Sequence, residues 1–346
     1  MHHETHEEPT MKPIKKRTFR FTAAAVAMTV AVWAYASTLS AANLQTTAKT
    51  LFGAVKPVTV AEVTEPQAVL GRALFWDKRL SLSGDLACAS CHSAEDWSSD
   101  KRRLSINAKG LPTTMHSQAI FMSMDQTSLR WYGDRTSGAH QAERSLTGSM
   151  GFAAASDVLP LLTKFDYEAK FKAVFEGQAE PMTTANYAQA MQAYERTLRT
   201  PAAFDNFVNG DTAALKPQQL AGLNKFVSFG CAGCHSGALL CGNSNQKFGV
   251  TKDYWLATGS TERDTGRFNV TKKEEDKYMY RVPMLRNISK TAPYFHDGSV
   301  GKLEDAISVM GELQLGRKLT PQDTADIAAF FETLTGNVPA HYAAPK

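Results

Sequence analysis

Two stretches of the chain share one five-residue pattern: Cys88-Ala89-Ser90-Cys91-His92 and Cys231-Ala232-Gly233-Cys234-His235, 143 positions apart. Two thiols two residues apart, with an imidazole directly after the second, can serve a metal knuckle, a redox pair or a covalent haem anchor. A zinc site would have to close one tetrahedron from both pairs, across an insertion far longer than zinc ribbons use. A thioredoxin-like pair belongs in a βαβ setting, and neither motif has one. Covalent haem c remains: the cysteines form thioethers to the two vinyl groups, and the histidine sets a ring nitrogen beneath the iron. Cys88, Cys91, Cys231 and Cys234 therefore read as attachment points, and His92 and His235 as iron ligands. Cys241 is left over and reads as a small packed side chain. An iron that only carries electrons needs a second axial ligand; one that does chemistry needs an open face.

Each motif follows an amphipathic helix. "QAVLGRALFWDKRL" brings Val69, Leu70, Ala73, Leu74 and Trp76 round at helical spacing, and the "SLSGD" turn leads on to Cys88. "KPQQLAGLNKFVSFG" sets Leu220, Leu223, Phe226 and Val227 on one face before Gly230. This is a repeat of architecture rather than of sequence. Residues 44–66 read as a linker and lead-in, 157–200 as helical, and "TPAAFDNFVNGD" as the hinge between halves. Near the C-terminus Thr320 is an N-cap, Pro321 fits the first turn, Asp323 suits the dipole and Gly336 ends the helix. No alternating run demands a large sheet. The pattern predicts a mainly α chain of two domains, at 43–200 and 201–346.

At 346 residues the chain is long enough for two cores, and 43% hydrophobic with 21% charged residues is a soluble globular composition. Residues 1–42 hold five cations and three acids, so the +4 total leaves +2 for the rest. That near-neutral balance gives no electrostatic case for nucleic acid. The N-terminus carries a basic "KKRTFRF" and an apolar "FTAAAVAMTVAVWAYASTLSAA" with small residues at Ala34-Tyr35-Ala36 and Ser40-Ala41-Ala42. Residues 1–42 read as an extension, initiating naturally at Met11, and a cleaved signal peptide, with an uncleaved membrane anchor as the alternative. Either way the catalytic body is exported.

"LGRALFWDKRLSLSGDLACASCH" and "DTGRFNVTKKEEDKYMYRVPMLRNISKTAPYFHDGSVGKLEDAISVMGELQLG" closely resemble the bacterial dihaem cytochrome c peroxidases and their MauG-type relatives, over roughly residues 60–340. The resemblance implies two cytochrome c-like helical domains, each carrying one covalent haem c, the first peroxidatic and the second electron-receiving. It implies a methionine ligand fourteen residues after His296, which is Met310. It implies a tryptophan between the haems and a distal glutamine ten residues later, which are Trp131 and Gln141; Tyr132 is a second candidate for the aromatic bridge. It also implies a calcium between the domains, whose carbonyl ligands match Thr291 and Pro293, although its asparagine has no counterpart in "LPTTMHSQAIF".

The sequence departs from that pattern twice. Many relatives hold a distal histidine sixteen residues after the first haem histidine; from His92 that count reaches Ala108, which cannot ligate iron. The first iron is then open unless His116 or His140, both read as surface or loop residues, intervenes. Where the family carries a catalytic glutamate, "GSMGF" has Ser149, which has no useful pKa for proton transfer. Glu143 is near in sequence but two residues from Gln141 on a helix, so it points elsewhere.

The resemblance implies a periplasmic peroxidase that reduces hydrogen peroxide to water with electrons from a small cytochrome c or cupredoxin. The alternative is a MauG-like enzyme that spends peroxide equivalents on tryptophan of a partner protein. Ala108 and Ser149 tilt toward it, and Met310 tilts back. A dihaem electron carrier is the third reading, and homodimerisation is common among such relatives.

Overall fold

A computed structural model describes residues 40–241 and 243–346, so the leader read at 1–42 lies almost wholly outside the described residues. Among the described residues no helix is long and apolar enough to cross a membrane. Eight helices position the site: α1 (Ala41–Leu51), α2 (Pro66–Trp76), α3 (Gly138–Thr147) and α4 (Thr184–Arg196). They continue with α5 (Ala203–Val208), α6 (Pro217–Ser228), α7 (Leu303–Leu315) and α8 (Pro321–Glu332). The described strands form one short antiparallel pair, Asn245–Lys247 against Met279–Arg281, with Gln246 opposite Tyr280. The fold is mainly helical, as the absence of alternating runs implied.

The helices before the two motifs, α2 and α6, form where expected, although Val69 turns outward at 53% exposure. Thr320 caps α8 by accepting from the Asp323 amide at 3.2 Å, and Asp323 returns the contact to the Thr320 amide at 3.0 Å. This reciprocal pair satisfies two N–H groups left over at the helix start. Three local expectations need correction. The stretch read as a linker contains α1, which buries Leu44 and Ala48 one turn apart, with Phe52 just beyond its end. The stretch read as a hinge contains α5, with Phe204, Phe207 and Val208 buried. Gly336 does not end α8, which stops at Glu332; there the chain passes so close to Thr200 that a Cβ would stand 2.3 Å from its carbonyl oxygen.

Two apolar clusters organise these helices. One joins Leu70, Leu74 and Phe75 of α2, Leu146 of α3 and Tyr187, Met191 and Tyr194 of α4. The other joins Leu44, Phe52, Phe204, Leu223 and Phe226 to Ile327, Phe330 and Phe331 of α8. The most extensive helix pairings are α2 with α4 and α6 with α8, so each motif hangs from one closely packed pair. The ends of the chain cross the expected boundary at residue 200: α1 packs into the second cluster and Tyr342 into the first. The tail is fastened there. Tyr342 donates its phenol to the His92 carbonyl at 2.5 Å, Arg72 Nε donates to the Ala343 carbonyl at 2.8 Å, and His341 Nε2 meets the Thr197 hydroxyl at 2.9 Å.

Candidate haem sites

Each motif folds into one tight turn. The amides of Cys91 and His92 donate to the Cys88 carbonyl at 3.2 and 3.1 Å; those of Cys234 and His235 donate to the Cys231 carbonyl at 3.2 and 3.0 Å. Gly230 enters the second turn at φ 96°, a left-handed backbone that glycine adopts without strain. None of the four motif cysteines is paired in a disulfide, and Cys241 is buried in a small apolar cluster with Met284 and Leu239, as expected for a packed side chain. His92 Nδ1 lies 2.9 Å from the Ser98 carbonyl and His235 Nδ1 lies 3.0 Å from the Leu240 carbonyl. A carbonyl at Nδ1 fixes the proton there and leaves Nε2 as a lone-pair donor. Burial lowers both imidazole pKa values, which keeps the rings neutral and able to ligate.

One cavity of about 480 Å³ is lined by Cys88, Cys91 and His92 of the first motif and by Cys231, Cys234 and His235 of the second. Among the described residues no three acidic, histidine or cysteine side chains gather into a metal-binding cluster. The cavity wall fits haem on a further count. It carries polar atoms that are buried without partners, Gln141 Oε1, Arg135 Nε and Ser123 Oγ, although most buried polar groups find one. Arg130 and Arg281 also face the cavity, a cationic wall suited to haem propionates. Arg281 is only 4% exposed, and burial brings its guanidinium down to about 10. It donates to the Arg130 carbonyl and to the side chains of Gln126 and Gln118.

The wall brings together most of the residues singled out above. Met310 is half-buried on α7 and lines the cavity with His235. Trp131 lines it too, donating its indole N–H to the His116 carbonyl at 2.9 Å, with its ring edge-to-face against His296 at 6.4 Å. Gln141 projects from α3, and Ser149 lies just past the end of that helix. Ala108 is not on the wall; its amide donates to the Ser149 carbonyl at 2.9 Å. Glu143 points away, as its helical offset implied, and accepts from Thr184 at 3.1 Å. His140 stays off the wall beside Thr136. His116 corrects the surface reading: it is 5% exposed, lines the cavity, and turns Nδ1 toward the carbonyls of Arg102 and Arg103.

Glu195 on α4 escaped the sequence reading. It faces the cavity, and desolvation pushes its carboxyl up to about 8. Its signal was present, since it continues the stripe of Ala188 and Met191 at helical spacing, an acid on an apolar face. Thr291 and Pro293 also line the cavity. Calcium takes six to eight oxygens, so these residues by themselves do not make its cage.

A helical chain with two such turns on one cavity defines a dihaem c-type protein. A family model described as di-haem cytochrome c peroxidase matches residues 65–213. The chain is 35% identical to the cytochrome c551 peroxidase of Pseudomonas aeruginosa over 280 residues, covering 80% of this chain and 81% of that one. It is 28% identical to the methylamine utilization protein MauG of Methylophilus methylotrophus, covering 79% and 84%. A solved MauG-like protein associated with microbial copper homeostasis superposes with a TM-score of 0.74 at 27% identity, covering 84% of this chain and 97% of that one. The chain belongs to the di-haem cytochrome c peroxidase family and is a peroxidase-type oxidoreductase. Membership implies two haem c groups.

Proposed function

We propose that the protein reduces hydrogen peroxide to water in the periplasm, taking electrons from a small cytochrome c or cupredoxin. In this reading two cytochrome c-like domains, roughly 43–200 and 201–346, divide the work. His92 would hold the peroxidatic haem iron, and His235 with Met310 the electron-receiving one. When bound, the haems would supply redox-active iron, for peroxide chemistry at the first and for electron storage at a thioether-raised potential at the second. The observation that carries the reading is the partnerless Gln141 Oε1 on the cavity wall, together with a methyl at Ala108.

The chain's residues then bind and orient. The Gln141 amide holds peroxide or its leaving water by hydrogen bonds. The Ser149 hydroxyl fixes a water beside it but has no pKa for moving the proton between the oxygens. Trp131 bridges the two haem sites. The signal peptide read at residues 1–42 delivers the chain to the periplasm, where the four thiols meet haem.

The MauG-like alternative, oxidation of tryptophan on a partner protein, draws support from the same Ala108 and Ser149. Stopped-flow mixing with peroxide separates the two. Rapid turnover that consumes reduced small cytochrome supports the peroxidase. A long-lived oxidised enzyme, inert to small donors, supports the protein oxidant. A resting spectrum with two fully low-spin irons would sink the open first site on which both depend.

A further inference from the structure

Beside Trp131, one carboxylate accepts from two phenols. Tyr280 donates to Asp264 Oδ1 at 2.6 Å, and Tyr132 donates to Asp264 Oδ2 at 2.6 Å. Asn269 Nδ2 braces the pair, donating to the Tyr132 hydroxyl at 2.9 Å and to Asp264 Oδ2 at 3.1 Å, while the Gly266 amide donates to Oδ1 at 2.7 Å. The two phenol rings lie 6.1 Å apart. Tyr280 is 6% exposed, lines the cavity, and tilts against the His296 ring at 4.5 Å, which in turn meets Trp131 edge-on at 6.4 Å. Tyr132 follows Trp131 directly in the chain and is half-buried.

We propose that Tyr280 and Tyr132, with Asp264 as their shared proton acceptor, form a proton-coupled redox site that receives an oxidising equivalent from Trp131. The inference rests on the peroxide-reducing reading for its natural oxidant. The step balances. One electron leaves a phenol and restores the one-electron-oxidised Trp131 indole; the O–H bond breaks, and its proton passes to the Asp264 oxygen already accepting it. The products are a neutral tyrosyl radical, protonated Asp264 and neutral Trp131. On re-reduction an electron from the donor protein returns to the phenoxyl and Asp264 gives the proton back.

Geometry favours this route over simple electron loss. A phenol that loses only its electron becomes a strongly acidic cation, which a buried site solvates poorly. A carboxylate in hydrogen-bond contact removes that charge in the same event. Both phenols have pKa values raised by burial and by the Asp264 charge, so neither ionises beforehand. The short charge-assisted bonds keep the proton path set before the electron arrives. His296 Nε2 lies 3.3 Å from the Tyr280 oxygen, well outside the 2.6 Å contact to Asp264, so the shorter bond to the carboxylate sets the proton's path.

The test uses the haem-loaded, full-length protein with ring-deuterated tyrosine, freeze-quenched for EPR after oxidation without donor. One arm uses a single equivalent of hydrogen peroxide; the other uses a flash-generated ruthenium photo-oxidant. The expected result is a tyrosyl signal narrowed by the deuterium label, with decay slowed in D2O, and lost in a Tyr280→Phe/Tyr132→Phe double variant. Asp264→Asn should lose the D2O effect and shorten the radical's life; Asn269→Ala, which keeps both phenols and the carboxylate, should retain the signal. A tyrosyl signal only in the photo-oxidant arm, abolished in the double variant, upholds the redox site and removes the peroxide reading. A tyrosyl signal unchanged in the folded double variant, or no tyrosyl signal in either arm, overturns the proposal.

Discussion

Gly71 lies against Ala190 so closely that a Cβ on the glycine would stand 1.9 Å from the alanine's carbonyl oxygen. The second half repeats the device, with Gly222 placing a hypothetical Cβ 1.8 Å from the Asp326 carbonyl oxygen. In both cases an aromatic residue four positions on, Tyr194 or Phe330, supplies the next contact at 2.9 Å. Backbone rather than flexible side chain fills the space, so neither helix can yield locally. Gly71→Ala or Gly222→Ala should each cost ~3 kcal/mol or more, at the upper end of overpacking effects. Urea unfolding of the loaded protein checks this, with Gly301→Ala, whose added Cβ would meet nothing within 4 Å, as the near-neutral control.

Arg286 and Asp205 form a buried bidentate ion pair at 2.7 and 2.8 Å, with side chains 0% and 4% exposed. The guanidinium also donates to the Ala238 carbonyl at 2.7 Å, in the loop after His235, and the carboxylate accepts the Val55 and Ala202 amides. Asp205→Asn leaves the cation without its counter-charge and should cost about 3–5 kcal/mol. Thermal unfolding measures the loss, and the spectrum of the His235 haem should broaden in parallel as its loop loosens.

Glu195 predicts a pH dependence of stability. Its folded-state carboxyl is raised from 4.5 to about 8 by desolvation, and Cys88, Tyr187, Tyr194 and Tyr342 are the ionisable groups that feel its charge. Between those two pH values the folded chain holds a proton that the unfolded chain has released. Stability from this residue is therefore complete below 4.5 and declines as pH rises through about 8. Glu195→Gln should flatten that decline without moving the acid limb, as denaturant midpoints collected from pH 4 to 9 would show.

Gln141→Leu should lower peroxide turnover by ~10²-fold, the usual effect of losing one oriented donor at a reacting centre, while leaving both ferric spectra intact. On the proposed ligation, Met310→Leu should act at the second haem: its iron would lose the thioether, its potential would fall, and electron entry would slow. Spectroelectrochemical titration separates this from a change at His92. Ala108→His tests the open first face. If its imidazole reaches the iron, the resting spectrum gains a low-spin component and peroxide reacts only after half-reduction.

What the sequence made legible was local. The helices before the two motifs and the Thr320 cap depend on residues within a few positions of one another, and these readings carried into the structure. The misread segments depend on distant partners. α1 is short, and a modest apolar stripe becomes a helix with a purpose only when Phe204 and Phe226 cover Phe52. His116 does lie in a loop, but its burial was missed because it comes from chain some 180 residues downstream, where His296 accepts its amide. Gly336 was read as a helix stop because its close approach to Thr200 leaves no trace in spacing. Asp264 joins two phenols that lie 132 and 16 residues away from it along the chain.

The tail contact at His92 bears on the order of assembly. The carbonyl of His92 is met by a phenol 250 residues downstream, and the indole of Trp97 donates to Gly336 at 2.9 Å. The backing of the first motif is therefore not finished when its own helices are. Until the end of the second half is in place, the histidine loop of the first half lacks that part of its wall. The earlier-made site is the later-completed one, and truncation near the C-terminus would be felt first at the opposite end of the chain.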